Sequence, residues 1–170
     1  MTDRRDRCTE RPSDGPRASL WYWGRHTGFV RSMGRFLVIW AARRMPLFRL
    51  KNWMYRVLLG ANVHEHATIG LEATLDWFYP SLITIGEDAV VGYNTTILCH
   101  EYLTDRYRTG PVVIERRATI GANCMLLPGV VVGEGAIVSA MSLVNHDVPP
   151  GEFWGGVPAR LLRKMELGVQ

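Results

Sequence analysis

The 170-residue sequence has no run of 18 or more apolar residues; its longest, residues 36–42, is far too short to cross a bilayer. It has few cysteines, only Cys8, Cys99 and Cys124, and they form no spaced framework. The opening "MTDRRDRCTERPSDGPR" contains no apolar core of the kind a secretory signal needs. These absences lead to the expectation of a cytoplasmic protein in a reducing compartment. Basic residues are present without a helix-turn-helix, zinc-finger or RNA-binding signature, so nucleic acid is not an expected partner.

Hydrophobic residues make up 47% and charged residues 21% of the chain, ordinary values for a globular domain. Charge is unevenly spread. Residues 1–60 hold 13 Lys or Arg against 4 Asp or Glu, a net of +9, whereas residues 61–170 hold 7 against 12, a net of −5. Two structural parts are expected. Residues 1–18, polar and rich in arginine, suggest a disordered tail. Residues 19–60 suggest helices: Val30, Met33, Leu37, Trp40 and Ala41 recur at helical spacing over residues 27–44. Leu50, Trp53, Met54, Val57 and Leu58 do so over 47–59, with Gly60 as the terminating residue.

Beyond Gly60 the period changes to six. Aliphatic residues fall at Val63, Ile69, Leu75, then Ile85, Val91, Ile97, then Ile114, Ile120, Leu126, then Val132, Val138, Val144. Small or short residues sit four further on, from Ala67 and Ala73 through Ala118 and Cys124 to Ser142 and Val148. Glycine directly follows the aliphatic residue at five places, where a permissive backbone suits a turn. A repeat this short implies a solenoid, each unit being one short strand and one turn. Three units close one coil of 18 residues, and about four coils fit in residues 61–150. The register slips twice, by about 4 residues near "DWFYPS" and about 11 within residues 100–112. Both insertions fall on the same side of adjacent coils, so they should project near one another.

The stretch "IGANCMLLPGVVVGEGAIVSAMSLVNHDVPPGEFWGGVPARLLRK" resembles the hexapeptide-repeat acyltransferases, above all the maltose, galactoside and xenobiotic O-acetyltransferases. With "SLW", "KNWMYR" and "YNTTILCHEYL", the whole chain resembles a group of bacterial acetyltransferases of unassigned acceptor. The resemblance implies a mainly β fold, a left-handed parallel β-helix with N-terminal helices and a projecting loop. It also implies an acetyl-CoA-dependent O-acetyltransferase acting on a sugar-like or other small acceptor, with no metal, and a homotrimer whose sites lie between subunits.

His100 stands where the repeat breaks, and imidazole is suited to take and return a hydroxyl proton near neutrality. By resemblance it is the base that deprotonates the acceptor, which attacks the thioester directly. An orienting partner is expected among Asp76, Glu101 and Asp105, although each also reads as a solvated loop carboxylate. Trp77 and Tyr79, with Phe78, read as an acceptor pocket or as a packed loop core. The resemblance gives the backbone of Ala122 to the oxyanion and Ala122, Ala140, Asn145, His146, Arg160 and Arg163 to CoA. The two arginines on their own read as a solvated basic helix end. Cys99 beside His100 reads either as a thiol nucleophile or, preferably, as a small packed residue.

Two other classes stay in view. A γ-type carbonic anhydrase-like zinc protein would need three histidines around one metal, and no histidine pairs with His100 at the required spacing. A non-catalytic scaffold or membrane-surface module would use the arginines and tryptophans of residues 19–60. The competing role for those helices is to cap the open edge of the first coil, and peripheral membrane contact is compatible with it. Residues 151–170 form a C-terminal segment.

Overall fold

The computed structural model describes residues 4–165. Its centre is a three-walled parallel β-helix. The first wall stacks Asn62–Val63, Ile83–Ile85, Val112–Ile114 and Val131–Val132. The second stacks Thr68–Ile69, Val90–Val91, Thr119–Ile120 and Ile137–Val138; the third stacks Thr74–Leu75, Thr96–Ile97, Met125–Leu126 and Leu143–Val144. The register is the six-residue grid itself: Val63, Ile85, Ile114 and Val132 lie one above another, as do Ile69, Val91, Ile120 and Val138, and Leu75, Ile97, Leu126 and Val144. None of these side chains is more than 1% exposed. Each contributes roughly 1.5–3 kcal/mol by leaving water. The small residues between them are buried too, from Ala67 to Val148.

The glycines after the aliphatic residues serve a purpose other than turn flexibility. Gly92 and Gly121 are not in the left-handed region; the residues two positions after the glycines are, at φ of 53–59°: Glu72, Asp88, Asn94 and Asn123. Glycine is required because a Cβ at Gly121 would lie 2.4 Å from the Ala140 nitrogen, and one at Gly92 would lie 2.5 Å from that of Ala122. The constraint is the stacking distance between coils.

Short helices precede the solenoid: α1 (Trp23–Thr27), α2 (Phe29–Ala42) and α3 (Phe48–Trp53), the last running into a wider turn at Met54–Leu58. Gly28 (φ 76°) separates α1 from α2, and Gly60 (φ 72°) ends the region. The helices close the first coil with polar groups. Lys51 donates to the carbonyls of Ile69 (3.0 Å) and Gly70 (3.1 Å), and Asn52 Nδ2 to those of His64, Glu65 and Ala67. Both side chains are fully buried, and burial lowers the Lys51 pKa from its ordinary value, opposed by the Glu72 charge. These carbonyls edge the first coil, where no preceding coil supplies donors. The apolar stripe that marks the helices in the sequence therefore faces away from the solenoid: Val30, Leu37, Trp40, Trp53 and Val57 are exposed.

Both insertions leave the corner after the third wall. The first, following Leu75, carries a 3-10 turn at Pro80–Leu82. The second is a β-hairpin, not an irregular loop: His100–Tyr102 pairs antiparallel with Arg106–Thr109. The expected disordered tail is instead ordered from Arg4 onward. Thr9–Pro12 adds a third strand to the hairpin, and Glu10 pairs with Arg106 and Arg108. Arg4 is buried, donating to the Pro128 carbonyl (2.8 Å) and to Glu101 (2.9 Å). Arg7 reaches the Gly129 carbonyl and Asp147. Composition alone suggests disorder because the edge that orders this segment is made by an insertion about 100 residues away. At the other end Arg160–Lys164 is a strand, antiparallel to Glu152–Gly155, where a basic helix end is the alternative reading.

Replacing Asn52 with Ala should strip the Glu65 and Ala67 carbonyls of the amide that meets them and lower the unfolding free energy by about 2 kcal/mol, measured by denaturant titration. An unchanged midpoint would show that the cap is dispensable.

Candidate active site

The corner after the third wall brings His100 and Asp76 together. Asp76 follows the first-coil strand Thr74–Leu75, and His100 opens the hairpin one coil later. The Asp76 side chain is 1% exposed and satisfied by four donors. Oδ1 accepts the backbone N–H groups of Phe78 (2.8 Å) and Tyr79 (3.0 Å); Oδ2 accepts that of Cys99 (2.6 Å) and His100 Nδ1 (2.5 Å). The first two bonds wind the chain after Asp76 into a local turn. The third locks the carboxylate to the next coil. In neutral imidazole, Nδ1–H donating to Asp76 leaves the lone pair on Nε2. The ring is therefore oriented and its tautomer set. Asp76 is not the solvated turn carboxylate it resembles in the sequence.

The other expected partners are engaged elsewhere. Glu101 is held by Arg4 at 2.9 Å and lies 3.6 Å from Arg108, so it does not orient His100. Asp105 is exposed at the hairpin turn against Arg106. Cys99 is wholly buried, and burial together with the nearby Asp76 charge pushes its thiol far up from the ordinary value. A thiol so held is a poor nucleophile.

Aromatic rings surround His100. Phe78 meets it edge-on at 5.0 Å between centroids, Tyr102 lies at 5.2 Å and Tyr79 at 6.2 Å. The Tyr79 and Tyr102 hydroxyls are 3.5 Å apart. Burial holds both phenols above their ordinary pKa, so they remain O–H donors. Tyr79 also lines a cleft of about 460 Å³ with Tyr107, Thr109, His26 and Arg11. Trp77 faces the other way, packed against Phe36 and Trp23 of the helices. It joins the insertion to the helical region and does not line the cleft, because α2 offers the larger apolar surface.

His26 enters this site without any signal in the sequence. Its ring stacks on Tyr107 at 4.2 Å, with Nδ1 3.4 Å from the Tyr102 hydroxyl and Nε2 3.0 Å from Asp14. Tyr102 and Tyr107 face each other across the hairpin, a pairing that alternation in "EYLTDRYRT" could have disclosed. Among the described residues the one cluster of three close metal-ligating side chains is His64, His66 and Glu87, which excludes His100. His26 is bonded to Asp14 and Tyr102, and among the described residues no trio of histidines converges on His100.

The residues expected at CoA lie on the rest of the solenoid. Ala122 and Ala140 occupy equivalent corners of successive coils, after the second wall, and the Met141 N–H donates to the Ala122 carbonyl. Asn145 and His146 sit after the third wall, joined by a 2.8 Å bond. Arg160 and Arg163 are exposed on the final strand, Arg163 over the Phe153 ring. Ala122 and His100 thus project from different corners, and one chain does not bring them together.

Known proteins share this architecture. The family described as bacterial transferase hexapeptide (six repeats) matches residues 111–146. "Putative acetyltransferase YvoF" of Bacillus subtilis (strain 168) is 42% identical over 160 residues, 94% of this chain and 93% of that one. "Putative acetyltransferase SAR0816" of Staphylococcus aureus (strain MRSA252) is 39% identical over 139 residues, 82% of this chain and 86% of that one. Among solved structures, the hexapeptide-repeat containing acetyltransferase VCA0836 of Vibrio cholerae O1 biovar eltor, complexed with acetyl coenzyme A, superposes with a TM-score of 0.65. It is 23% identical, covering 81% of this chain and 88% of that one. A galactoside acetyltransferase in complex with coenzyme A gives 0.58 at 18% identity, covering 81% and 82%. At these identities the likeness establishes the fold, the left-handed parallel β-helix.

Two outcomes are expected from this geometry. Asp76→Ala removes four hydrogen bonds from a buried site and should cost about 3 kcal/mol of stability, read from a thermal or denaturant midpoint. Cys99, with its raised pKa, should stay unalkylated by iodoacetamide at pH 8 in the native protein. Rapid labelling of Cys99, resolved by peptide mass mapping, would contradict its burial.

Proposed function

Because the chain belongs to the hexapeptide-repeat acetyltransferases, we propose that it moves the acetyl group of acetyl-CoA to a hydroxyl of a sugar-like or other small acceptor, with His100 as general base. The observation that carries this reading is the buried Asp76 carboxylate bonded to His100 Nδ1. Nε2 takes the acceptor proton as the hydroxyl oxygen attacks the thioester carbonyl. The C–O bond forms, the C–S bond breaks, and the proton passes from Nε2 to the departing CoA thiolate. Asp76 offsets the positive charge that appears on the imidazole between these steps. No acyl-enzyme is needed, and the buried Cys99 thiol takes no part.

Tyr79 and Tyr102 supply O–H donors beside His100, suited to the several hydroxyls of a sugar. The cleft that Tyr79 lines is the proposed acceptor pocket. The Ala122 amide is the proposed oxyanion donor. Ala122 and the exposed Ala140 have no bulky side chain, so an extended pantetheine arm can lie against that edge. Arg160 and Arg163 are placed to meet phosphates. Since Ala122 and His100 leave different corners, we assign the complete site to two adjacent subunits of a homotrimer. The three free cysteines suit a reducing cytoplasm.

The test is free-thiol release from acetyl-CoA with a panel of hydroxyl and amine acceptors. His100→Ala should lower kcat by about 10²–10⁴-fold, the usual contribution of a positioned base. Asp76→Asn should lower kcat while leaving the KM for acetyl-CoA near its wild-type value. Turnover by His100→Ala close to wild type would remove it from the mechanism, and transfer confined to amines would change the reaction class.

A further inference from the structure

The helical region is apolar on both sides. Toward the solenoid it buries Ile39, Ala42, Tyr55 and Leu59 in the core, with Lys51 and Asn52 of α3 beside them. Away from it the two helices and their flanks expose Val30 (83%), Leu37 (62%), Trp40 (53%), Leu47 (62%), Trp53 (45%) and Val57 (60%). An apolar face of this extent on a water-soluble surface calls for a partner. Its charge is equally one-sided: between Asp14 and Glu65 the sequence has no Asp or Glu. Of the nine cations in that interval, Arg43 and Arg44 pair with Glu72, Lys51 is buried, and Arg35 donates to the Phe78 carbonyl. Arg17, Arg25, Arg31, Arg49 and Arg56 have no carboxylate partner among the described residues.

We propose that this face lies on an anionic lipid bilayer, with the apolar side chains in the interface and Arg31, Arg49 and Arg56 among the headgroups. No helix is long and apolar enough to cross, so the contact is peripheral. Exposed indoles at Trp21, Trp40 and Trp53 suit the boundary between water and acyl chains. An isologous contact with a second copy would set arginine against arginine, and a nucleic acid would leave Val30 and Leu37 in water. The inference is independent of the acetyl-transfer reading and extends it by placing the reaction at a membrane surface.

The test is flotation of the full chain with vesicles of phosphatidylcholine alone or mixed with phosphatidylglycerol, at low and high salt. Binding is expected on the mixed vesicles and should weaken with salt. Arg31→Gln or Arg56→Gln should each lower partition about fivefold, and Leu37→Ser with Trp40→Ser should abolish it without shifting the melting midpoint. Arg117→Gln, on the solenoid, is the control for net charge and should leave partition unchanged. Absence of wild-type binding overturns the proposal, as does an equal loss in the Arg117 variant. Concentration-dependent self-association that the Leu37 and Trp40 changes abolish, without vesicle binding, would assign the face to a second copy and also overturn it.

Discussion

One distance governs this protein, the spacing at which each coil rests on the next. The peptide ladder fixes it, and every regular position in residues 61–150 answers to it. An aliphatic side chain fills each wall from within, and a small residue fits between. Where a corner comes closest to the next coil the residue can carry no Cβ, as the near-contact of Gly121 with Ala140 shows. A rigid stack of this kind has no room for a pocket inside. A pocket can be enclosed only where extra chain leaves a corner, and both insertions leave the same one.

Much of this was legible because the repeat encodes it directly. The grid from Val63 to Val144 is the wall register, residue for residue. His100 was legible because it stands where the grid fails. What was not legible depends on contacts between distant segments. Asp76 could be named as a candidate, but its burial and its bond to the Cys99 amide follow from one coil lying on another. Glu101, adjacent to His100 in sequence, alternates away from it along a strand and meets Arg4 instead. Trp77, beside Asp76, turns to the helices. The glycines read from the sequence as residues suited to a turn, but the physical reason for them is steric approach and not turn geometry.

The helices teach the same lesson from the opposite side. Periodicity identified them correctly, since a 3.6-residue stripe is a property of the helix alone. Which way the stripe points is a property of the surface it meets. Here that surface is the open edge of a sheet, a row of carbonyls that only donors can satisfy, so Lys51 and Asn52 go inward beside Ile39, Tyr55 and Leu59 while Val30, Leu37, Trp40, Trp53 and Val57 point outward. The stripe forms an outer face because the neighbouring element is polar at its end.

The N-terminal strand has a consequence for how the molecule is made. Arg4 and Arg7 reach groups 124 and 140 residues further along the chain, and Thr9–Pro12 completes a hairpin that spans residues 100–109. During synthesis residues 4–12 have nothing to pair with until nearly the whole solenoid exists. They are made before their partners and are among the last to find their place. By then the hairpin bearing His100 has been laid down, and this segment arrives as the strap that finishes it.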